Sequence, residues 1–292
     1  MRVNNRCVGI WVHIMLDSLL VFDIETIPDT DSCNNLIGET VGEDDDILAK
    51  REAMANYHLD ITNGQNSFLR QPFHKIVAIS FLRADIKRGG GYESFTLQEI
   101  RSGGTALSSE QELVKGFLSY VSAIKPRFVT FNGRTFDFPV LKYRAMLHGV
   151  QAGYLYKAGD KWNNYFQRYS VDWHCDLLDY LSEYGASAKV KMHEVCAVMG
   201  FPGKFGTDGS AVAELYDNGK LSMIRDYCET DVINTYLVYL RLMQHQEKIK
   251  TDCYNSCIVS LLEYLSKSEK EHLLAFKAAW EKVSQGKFLL TP

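Results

Sequence analysis

The chain has 292 residues, of which 46% are hydrophobic, so it can bury a large core as one big domain or two smaller ones. The net charge of −4 argues against a protein that holds nucleic acid by a broad basic surface, and any such contact should be local and supported by metal ions. The seven cysteines show no paired C-x-x-C spacing, which disfavours a zinc site or a disulfide framework and favours a reducing cytoplasm.

Residues 1–14 combine basic residues with a short apolar run, a superficial similarity to a signal peptide. His13 and Asp17 interrupt the run and no small-residue cleavage site follows, so we interpret the segment as a non-core extension, with Met15 as an alternative start. No apolar run in the sequence is long enough to span a membrane. We therefore expect a cytoplasmic protein with no membrane contact.

An apolar run at residues 18–22 predicts a buried strand that ends in two carboxylates, Asp23 and Glu25. Because residues i and i+2 of a strand point to the same face, the two carboxylates should project together, opposite Phe22 and Ile24. Two like charges that close need a cation, and carboxylate oxygens are ligands that Mg²⁺ and Mn²⁺ prefer. Taken alone, however, such a pair is more often a solvated turn after a buried strand.

Residues 29–72 are polar and acidic, with one predicted helix at Ile47–His58 that is capped by Asp46. This stretch resembles an insertion between two strands, either a lid over the site or a plain surface excursion. Strands are then predicted at Lys75–Leu82 and Tyr92–Leu97, joined across a glycine-rich turn as an antiparallel hairpin. Together with the first strand they form a meander.

A helix that opens after Ser109 is followed by a fourth strand at Arg127–Phe131. This strand leads to Asp137, which lies at the start of the next predicted helix, Pro139–His148. A lone Asp in that position is usually only a helix cap.

Residues 154–169 interleave aromatic and basic side chains. Such a tract suits stacking on single-stranded bases, but a packed loop under the core is at least as compatible with it. The segment Val171–Asp179 predicts a fifth strand running into a helix, and we interpret Asp176 as a cap rather than an outer-shell carboxylate. The glycine-rich connection Gly203–Ser210 lacks the ending of a nucleotide-binding P-loop.

The last part of the chain is predicted to be helical. A long helix from Leu221 to Gln246 carries Tyr227 and Asp231, which are four residues apart and share one face. In isolation this pair would be a core tyrosine beside a solvated Asp. Two amphipathic helices at residues 256–267 and 269–284 follow, and we interpret residues 250–292 as a C-terminal helical addition packed on the core.

Three short motifs thus stand in sequence order: Asp23-x-Glu25, Asn132-x3-Phe136-Asp137 and Tyr227-x3-Asp231. In this order, and on these predicted strands and helices, they resemble the three exonuclease motifs of the DEDD superfamily of 3′–5′ exonucleases, specifically its tyrosine branch (DEDDy). The match is closest to stand-alone proteins related to the exonuclease domain of family B DNA polymerases, from about residue 19 to residue 241. The histidine branch carries a His five residues before the last Asp, where this chain has Asp226.

The resemblance implies an α/β protein with an RNase H-like fold: a five-stranded mixed sheet in the order 3-2-1-4-5, with strand 2 antiparallel, flanked by helices. It makes residues 1–292 a single exonuclease domain. The predicted meander agrees with this arrangement.

The resemblance also implies two divalent cations, Mg²⁺ or Mn²⁺, held by four carboxylates: Asp23, Glu25, Asp137 and Asp231. Tyr227 would orient the attacking water or help to deprotonate it. Three further motif residues would contact the substrate: Thr26, Asn132 and Phe136. In such chemistry one ion generates and positions hydroxide while the other stabilises the leaving 3′ oxygen.

The implied reaction releases nucleoside 5′-monophosphates from the 3′ end of a single-stranded nucleic acid, for which we expect DNA. An exoribonuclease of the same branch stays open, because the discriminating contact with the 2′-OH cannot be identified from the sequence. The alternative from another class is a catalytically idle RNase H-like module that binds nucleic acid or a protein. Proofreading would require a separate polymerase or repair partner.

Overall fold

The computed structural model describes residues 16–43, 46–204 and 211–291. The predicted extension 1–14 and all but the first two residues of the glycine-rich connection 203–210 lie outside the described residues. Five strands form one sheet in the order β3-β2-β1-β4-β5: β1 Ser18–Pro28, β2 His74–Gly89, β3 Tyr92–Ser102, β4 Arg127–Thr130 and β5 His174–Asp176.

The helices of the described residues occupy both faces of the sheet, and the last ones are long. In chain order they are α1 Cys33–Ile37, α2 Ile47–Ile61, α3 Glu110–Ile124, α4 Asp137–Leu147, α5 Gly153–Lys157, α6 Leu177–Leu181, α7 Met192–Met199, α8 Val212–Asp217, α9 Leu221–His245, α10 Thr251–Ser266 and α11 Glu271–Ser284. Within the same residues, no helix combines the length and apolar character needed to cross a membrane.

The strand directions confirm the expected fold. β2 runs antiparallel to both β1 and β3, whereas β4 is parallel to β1 and β5 is parallel to β4. The strand order, the antiparallel second strand and the flanking helices are those of the α/β, RNase H-like architecture that the motifs implied.

Alternation along β1 decides which layer each residue enters. Leu19 and Val21 belong to the hydrophobic cluster that α9 completes, whereas Leu20 and Phe22 belong to the cluster beneath α3 and α4. The odd-numbered residues of β1 therefore face α9. Asp23 and Glu25 continue this series, which brings their carboxylates toward the long helix rather than toward α4.

Local signals predicted most helix ends. The Ser109 side chain and Glu112 form the expected capping box of α3, and Asp46 accepts a hydrogen bond from the Ala49 N–H at the start of α2. The predicted start of α10 at residue 256 is wrong, because the helix already begins at Thr251. Its first turn is polar, so the apolar periodicity that indicates a helix begins only later.

A buried ion network ties α4 to the end of β1. Arg144 on α4 donates hydrogen bonds to both Glu110 carboxylate oxygens at 2.7 and 2.5 Å and to Asp29 Oδ2 at 2.6 Å. Glu110 also accepts the backbone N–H of Ile76 at 2.6 Å. Because Asp137 is the first residue of α4, this network holds Asp137 against the strand that carries Asp23.

Replacing Arg144 with Met is expected to lower the free energy of unfolding by about 3–5 kcal/mol, because it leaves two buried carboxylates without their cation. Urea unfolding followed by circular dichroism measures this change. The matched control is Arg168→Met. Arg168 pairs with Asp179, but 46% of the arginine side chain is exposed, so a much smaller loss is expected. Equal losses in the two variants would contradict the role given to burial.

Candidate active site

The C-terminal half of β1 places two carboxylates on one face of the sheet. Glu25 is buried and Asp23 is partly exposed. The negative charge of Glu25 raises the pKa of Asp23. Immediately after Glu25 the pairing with β2 shifts by one residue, because β2 carries an extra residue, Val77, opposite the end of the motif. Carboxylate oxygens of Asp23 and Glu25 lie within 4.8 Å of each other, which confirms that the two side chains share one face, as their i, i+2 spacing predicted.

Asp137 reaches the same place from α4. Its Oδ1 accepts the backbone N–H of Ile24 at 3.2 Å, although 113 residues separate the two in sequence. The interpretation of Asp137 as an ordinary helix cap is wrong, because Phe136 occupies the N-cap position and Asp137 is the first helical residue. The carboxylate bonds to the strand β1 between the two motif acids.

The helix α9 brings the third motif against β1. Tyr227 and Asp231 are both buried on its sheet-facing side. Between them, the Cys228 thiol lies 3.5 Å from the Asp23 carbonyl oxygen and 3.7 Å from Asp23 Oδ2. The expectation that Tyr227 and Asp231 share one helix face is therefore met, and that face is directed at Asp23 and Glu25.

The four carboxylates repel one another in a buried place. The pKa of Asp23 is held well above its usual range by burial and by the charges of Asp137, Glu25 and Asp231. Burial, Asp231 and Asp137 do the same to the pKa of Glu25. Burial also raises the pKa of Asp137 to about 7 and that of Asp231 to about 6. The cluster is therefore costly to ionise unless a cation accompanies it.

The donor set fits hard divalent cations. Asp231 Oδ1 is buried and has no hydrogen-bond partner within the described residues, so it is left available as a ligand. Ligand atoms of Asp23, Glu25 and Cys228 lie within 4.8 Å of one another. Burial and the two carboxylates hold the pKa of the Cys228 thiol well above its usual range, so the thiol remains a neutral donor and carboxylate oxygens dominate the site.

The tyrosine stays neutral in this environment. Burial, followed by the charges of Asp231 and Glu25, raises the pKa of the Tyr227 phenol, and the same phenol opposes the rise in the pKa of Asp231. The positive charge of Lys204 also opposes the rise at Asp231. Tyr227 can therefore offer a hydrogen bond beside Asp231 without adding a further negative charge.

The three predicted substrate residues lie near the carboxylates but differ in the partners that their side chains contact. Thr26 Oγ1 is hydrogen-bonded to His74 Nδ1 at 2.9 Å, and the Phe136 ring packs edge-on against the same imidazole. Asn132 has a positive φ of 71° and uses its side chain to accept a hydrogen bond from Thr135 Oγ1. Thr26 and Phe136 thus form one wall, whereas Asn132 shapes the loop before Asp137.

Two side chains of this wall were not predicted from the sequence. His74 is buried, and burial lowers its pKa, so it is a neutral bridge between Thr26 and Phe136. Phe68 packs on both His74 and Phe136 while its side chain stays exposed. Phe68 belongs to the insertion 29–72, so the end of the insertion borders the site. A polar residue directly before an apolar strand was the available signal for His74.

Three other acids near the motifs, Asp176, Asp226 and Glu229, have structural partners. Asp176 caps α6 as interpreted, accepting the Asp179 N–H at 3.2 Å, and it also accepts the backbone N–H groups of Asn132 and Arg134 at 3.0 and 2.7 Å. This carboxylate therefore shapes the loop that leads to Asp137, and it lies outside the carboxylate cluster.

Asp226 and Glu229 turn away from the cluster toward α11. Glu229 accepts hydrogen bonds from Lys270 Nζ at 2.8 Å and from Ser102 Oγ at 2.9 Å, and His272 lies between Asp226 and Glu229. The two acids therefore lock α9 onto the C-terminal helix, and the face of α9 that carries Tyr227 and Asp231 remains directed at β1.

The chain is similar to a known protein family and to a solved structure. A family model described as a predicted 3′–5′ exonuclease related to the exonuclease domain of PolB matches residues 66–280, which include Asp137, Tyr227 and Asp231 but not β1. The family B DNA polymerase from the hyperthermophilic archaeon Pyrobaculum calidifontis is similar in structure, at 17% identity and a TM-score of 0.44, over 90% of this chain and 27% of the polymerase. No curated protein matches the chain.

The family match spans most of the chain and contains two of the three motifs. The fold that those motifs implied is also present. The chain therefore belongs to the family of predicted 3′–5′ exonucleases related to the exonuclease domain of PolB.

Proposed function

We propose that this protein is a metal-dependent 3′–5′ exonuclease of the tyrosine branch, which removes nucleoside 5′-monophosphates from single-stranded DNA. The observation that carries the proposal is the meeting of four carboxylates from three elements, β1, α4 and α9, beside a buried tyrosine; three of the carboxylates are buried and Asp23 is partly exposed. Such a concentration of negative charge destabilises the fold unless bound cations offset it. A cluster of this kind is therefore expected at a site of cation-dependent chemistry.

In this mechanism Asp23, Glu25, Asp137 and Asp231 hold two divalent cations, Mg²⁺ or Mn²⁺. When bound, such ions lower the pKa of water and offset the charge that develops on the leaving 3′ oxygen. The residues of the chain position the carboxylate oxygens that would bind the ions. The Ile24 N–H holds one Asp137 oxygen, and the lone Asp231 Oδ1 is left for a ligand.

Tyr227 orients the attacking water. Its phenol is neutral, so it acts through a hydrogen bond and not as a phenolate base. The last nucleotide would lie against the wall formed by Thr26, Phe136 and His74. Thr26 directly follows Glu25 in the sequence, and Phe136 directly precedes Asp137. Asn132 supports the loop between this wall and β4. A single-stranded 3′ end is the proposed partner, and a separate polymerase or repair protein would supply the context for proofreading.

The test of this proposal is degradation of DNA and RNA oligonucleotides labelled at the 3′ or the 5′ end, with Mn²⁺ and with EDTA. We expect label to be released first from the 3′ end, loss of activity in EDTA, and slower cleavage when a 3′-terminal phosphate replaces the free hydroxyl. Activity that survives chelation, equal attack from the 5′ end, or cutting of circular single strands would contradict the proposal. Faster cleavage of RNA would reassign the substrate to the exoribonuclease alternative.

A further inference from the structure

A cavity of about 220 Å³ lies beside α4. Phe138 and Leu141 line it from α4, and Leu155 and Tyr165 line it from the aromatic tract. Its volume is several times the roughly 30 Å³ that one water molecule occupies in the liquid, and its walls are mostly apolar. The cavity can therefore hold a flat ring system but not a long ligand.

The aromatic tract divides into a packed half and an exposed half at this cavity. Tyr165 is buried, and its hydroxyl donates to the Pro126 carbonyl at 2.8 Å, so it is a core residue. Tyr156 and Phe166 instead stack on each other, with ring centroids 4.8 Å apart and 25° between the planes, although 60% and 47% of their surfaces are exposed. Both rings line the cavity, so its open side is an aromatic platform.

Polar side chains face the same space. His174 is only 2% exposed and lines the cavity, and its Nε2 is bonded to Thr130 Oγ1 at 2.8 Å. Arg134, which also lines the cavity, keeps a buried Nε that has no hydrogen-bond partner within the described part of the chain. The Arg134 guanidinium can therefore recognise the polar edge of a heterocycle.

Positive charge stands at the rim, where a phosphate would lie. Lys142 lines the cavity from α4, its side chain is exposed, and it makes no ion pair with a described residue. In a chain of net charge −4, such a local cation beside exposed aromatic rings suits a nucleic-acid strand better than an apolar ligand.

The cavity is a neighbour of the carboxylate cluster. Phe138 follows Asp137 directly. Lys142 lies five residues after Asp137 on α4, a rise along the helix axis of about 7.5 Å at 1.5 Å per residue. A strand whose 3′ end is held at Asp137 could therefore reach the cavity with one of its preceding nucleotides. The two sites share one helix, so their spacing is rigid.

We propose that this cavity binds one base of a single-stranded nucleic acid, upstream of the bond that is cleaved, with Tyr156 and Phe166 as the stacking platform and Lys142 as the phosphate contact. The inference rests on the proposed nuclease function for its substrate, but it assigns a subsite separate from the carboxylates. Stacking on such a platform is tolerant of sequence, because every base has an aromatic face.

The experiment measures binding of a 5′-fluorescein-labelled deoxythymidine 12-mer by anisotropy, with Mn²⁺ and in an Asp23→Asn background that prevents cleavage during the measurement. Tyr156→Ala is expected to weaken binding by roughly 5- to 150-fold, the range for loss of one stacked base. Tyr156→Trp should keep the affinity, because it keeps a stacking face. Lys142→Gln should lower the salt dependence of binding by about 0.7 in log–log slope.

The matched control is Tyr92→Ala. Tyr92 is also an exposed aromatic beside a lysine, Lys250, but it lies at the hairpin end of β3, away from the carboxylates. It should leave the affinity within about twofold, a difference of less than 0.5 kcal/mol. Unchanged 12-mer affinity in Tyr156→Ala, or an equal loss in Tyr92→Ala, would overturn the subsite.

The two proposals fail in different ways. Tyr156-dependent binding without cleavage by the wild-type protein would keep the base site and remove the nuclease. Cleavage by the wild-type protein with unchanged binding in Tyr156→Ala would keep the nuclease and remove the base site. A wild-type protein that binds no oligonucleotide would remove both.

Discussion

Asp23→Asn and Asp231→Asn are each expected to lower the rate of 3′ nucleotide release by about 10³-fold or more. Each variant keeps the size of the side chain but removes one of the four charges that the proposed cations require, and several kcal/mol of transition-state stabilisation depends on those cations. Single-turnover cleavage of a 5′-labelled 12-mer with Mn²⁺ measures the effect. Asp172→Asn is the control, since that carboxylate is 68% exposed and pairs with Arg127 and Lys248 outside the cluster.

The same substitutions should also stabilise the metal-free protein, because the carboxylate cluster makes its stability depend on pH. The pKa of Asp137 is about 7 in the fold, whereas an unfolded Asp titrates near 3.9, so the folded state binds protons more tightly. The stabilising contribution of such a group is complete below the unfolded pKa and is lost as the pH rises through the folded value. Wild-type protein in EDTA should therefore unfold at a lower temperature at pH 8 than at pH 5.

Asp23→Asn should narrow that difference, because it removes a carboxylate whose own pKa is held well above its usual range by burial and by the charges of Asp137, Glu25 and Asp231. Adding Mn²⁺ should raise the unfolding temperature of the wild type at pH 8 and raise that of Asp23→Asn much less. Thermal unfolding followed by circular dichroism gives both values. If Asp172→Asn loses activity and metal response as Asp23→Asn does, the assignment of the ligands is wrong.

Tyr227→Phe is expected to lower the cleavage rate by about 10² to 10⁴-fold while leaving metal affinity nearly unchanged. The substitution removes only the hydroxyl, which lies beside Asp231 and stays neutral because burial and the nearby carboxylates raise its pKa. Loss of one positioned proton-transfer group has an effect of that size, and none of the four proposed ligands is touched. Mn²⁺ binding by calorimetry and single-turnover cleavage should be measured on the same preparation.

Tyr264→Phe is the matched control for Tyr227→Phe. It removes another partly buried hydroxyl, one that accepts the Ile100 N–H at 3.0 Å on the outer strand β3. A small loss of stability with full activity is expected there. Wild-type cleavage by Tyr227→Phe would make Tyr227 a core residue, and loss of metal binding would make its role structural.

Interactions between near neighbours in the chain were predictable from the sequence. The i, i+2 spacing of Asp23 and Glu25 and the i, i+4 spacing of Tyr227 and Asp231 each define a face of one element, because strand and helix periods are set by the backbone. The cap formed by Asp176 is local in the same sense. These patterns, with the order of the motifs, also identified the fold.

Contacts between segments that are distant in the chain were harder to predict from the sequence. Asp137 looked like a helix cap, yet it bonds to Ile24 across 113 residues, because the packing of α4 on the sheet brings a strand N–H within reach. His74 and Phe68 carry no motif spacing at all, and they join the wall only because the insertion returns beside β2. A local pattern cannot encode which remote surface an element will meet.

The sequence by itself thus indicated the five strands and most of the helices, the shared faces of the two motif pairs, the strand order that the motif resemblance implied, and the family. The short helices α1 and α5 were not predicted. Only the tertiary structure decided that Asp226 and Glu229 bind α11, that Cys228 contacts Asp23, and that Tyr156 and Phe166 are exposed while Tyr165 is buried. The physical reason is that periodicity follows from backbone geometry over a few residues, whereas burial and electrostatic environment follow from the packing of segments that are far apart in the chain.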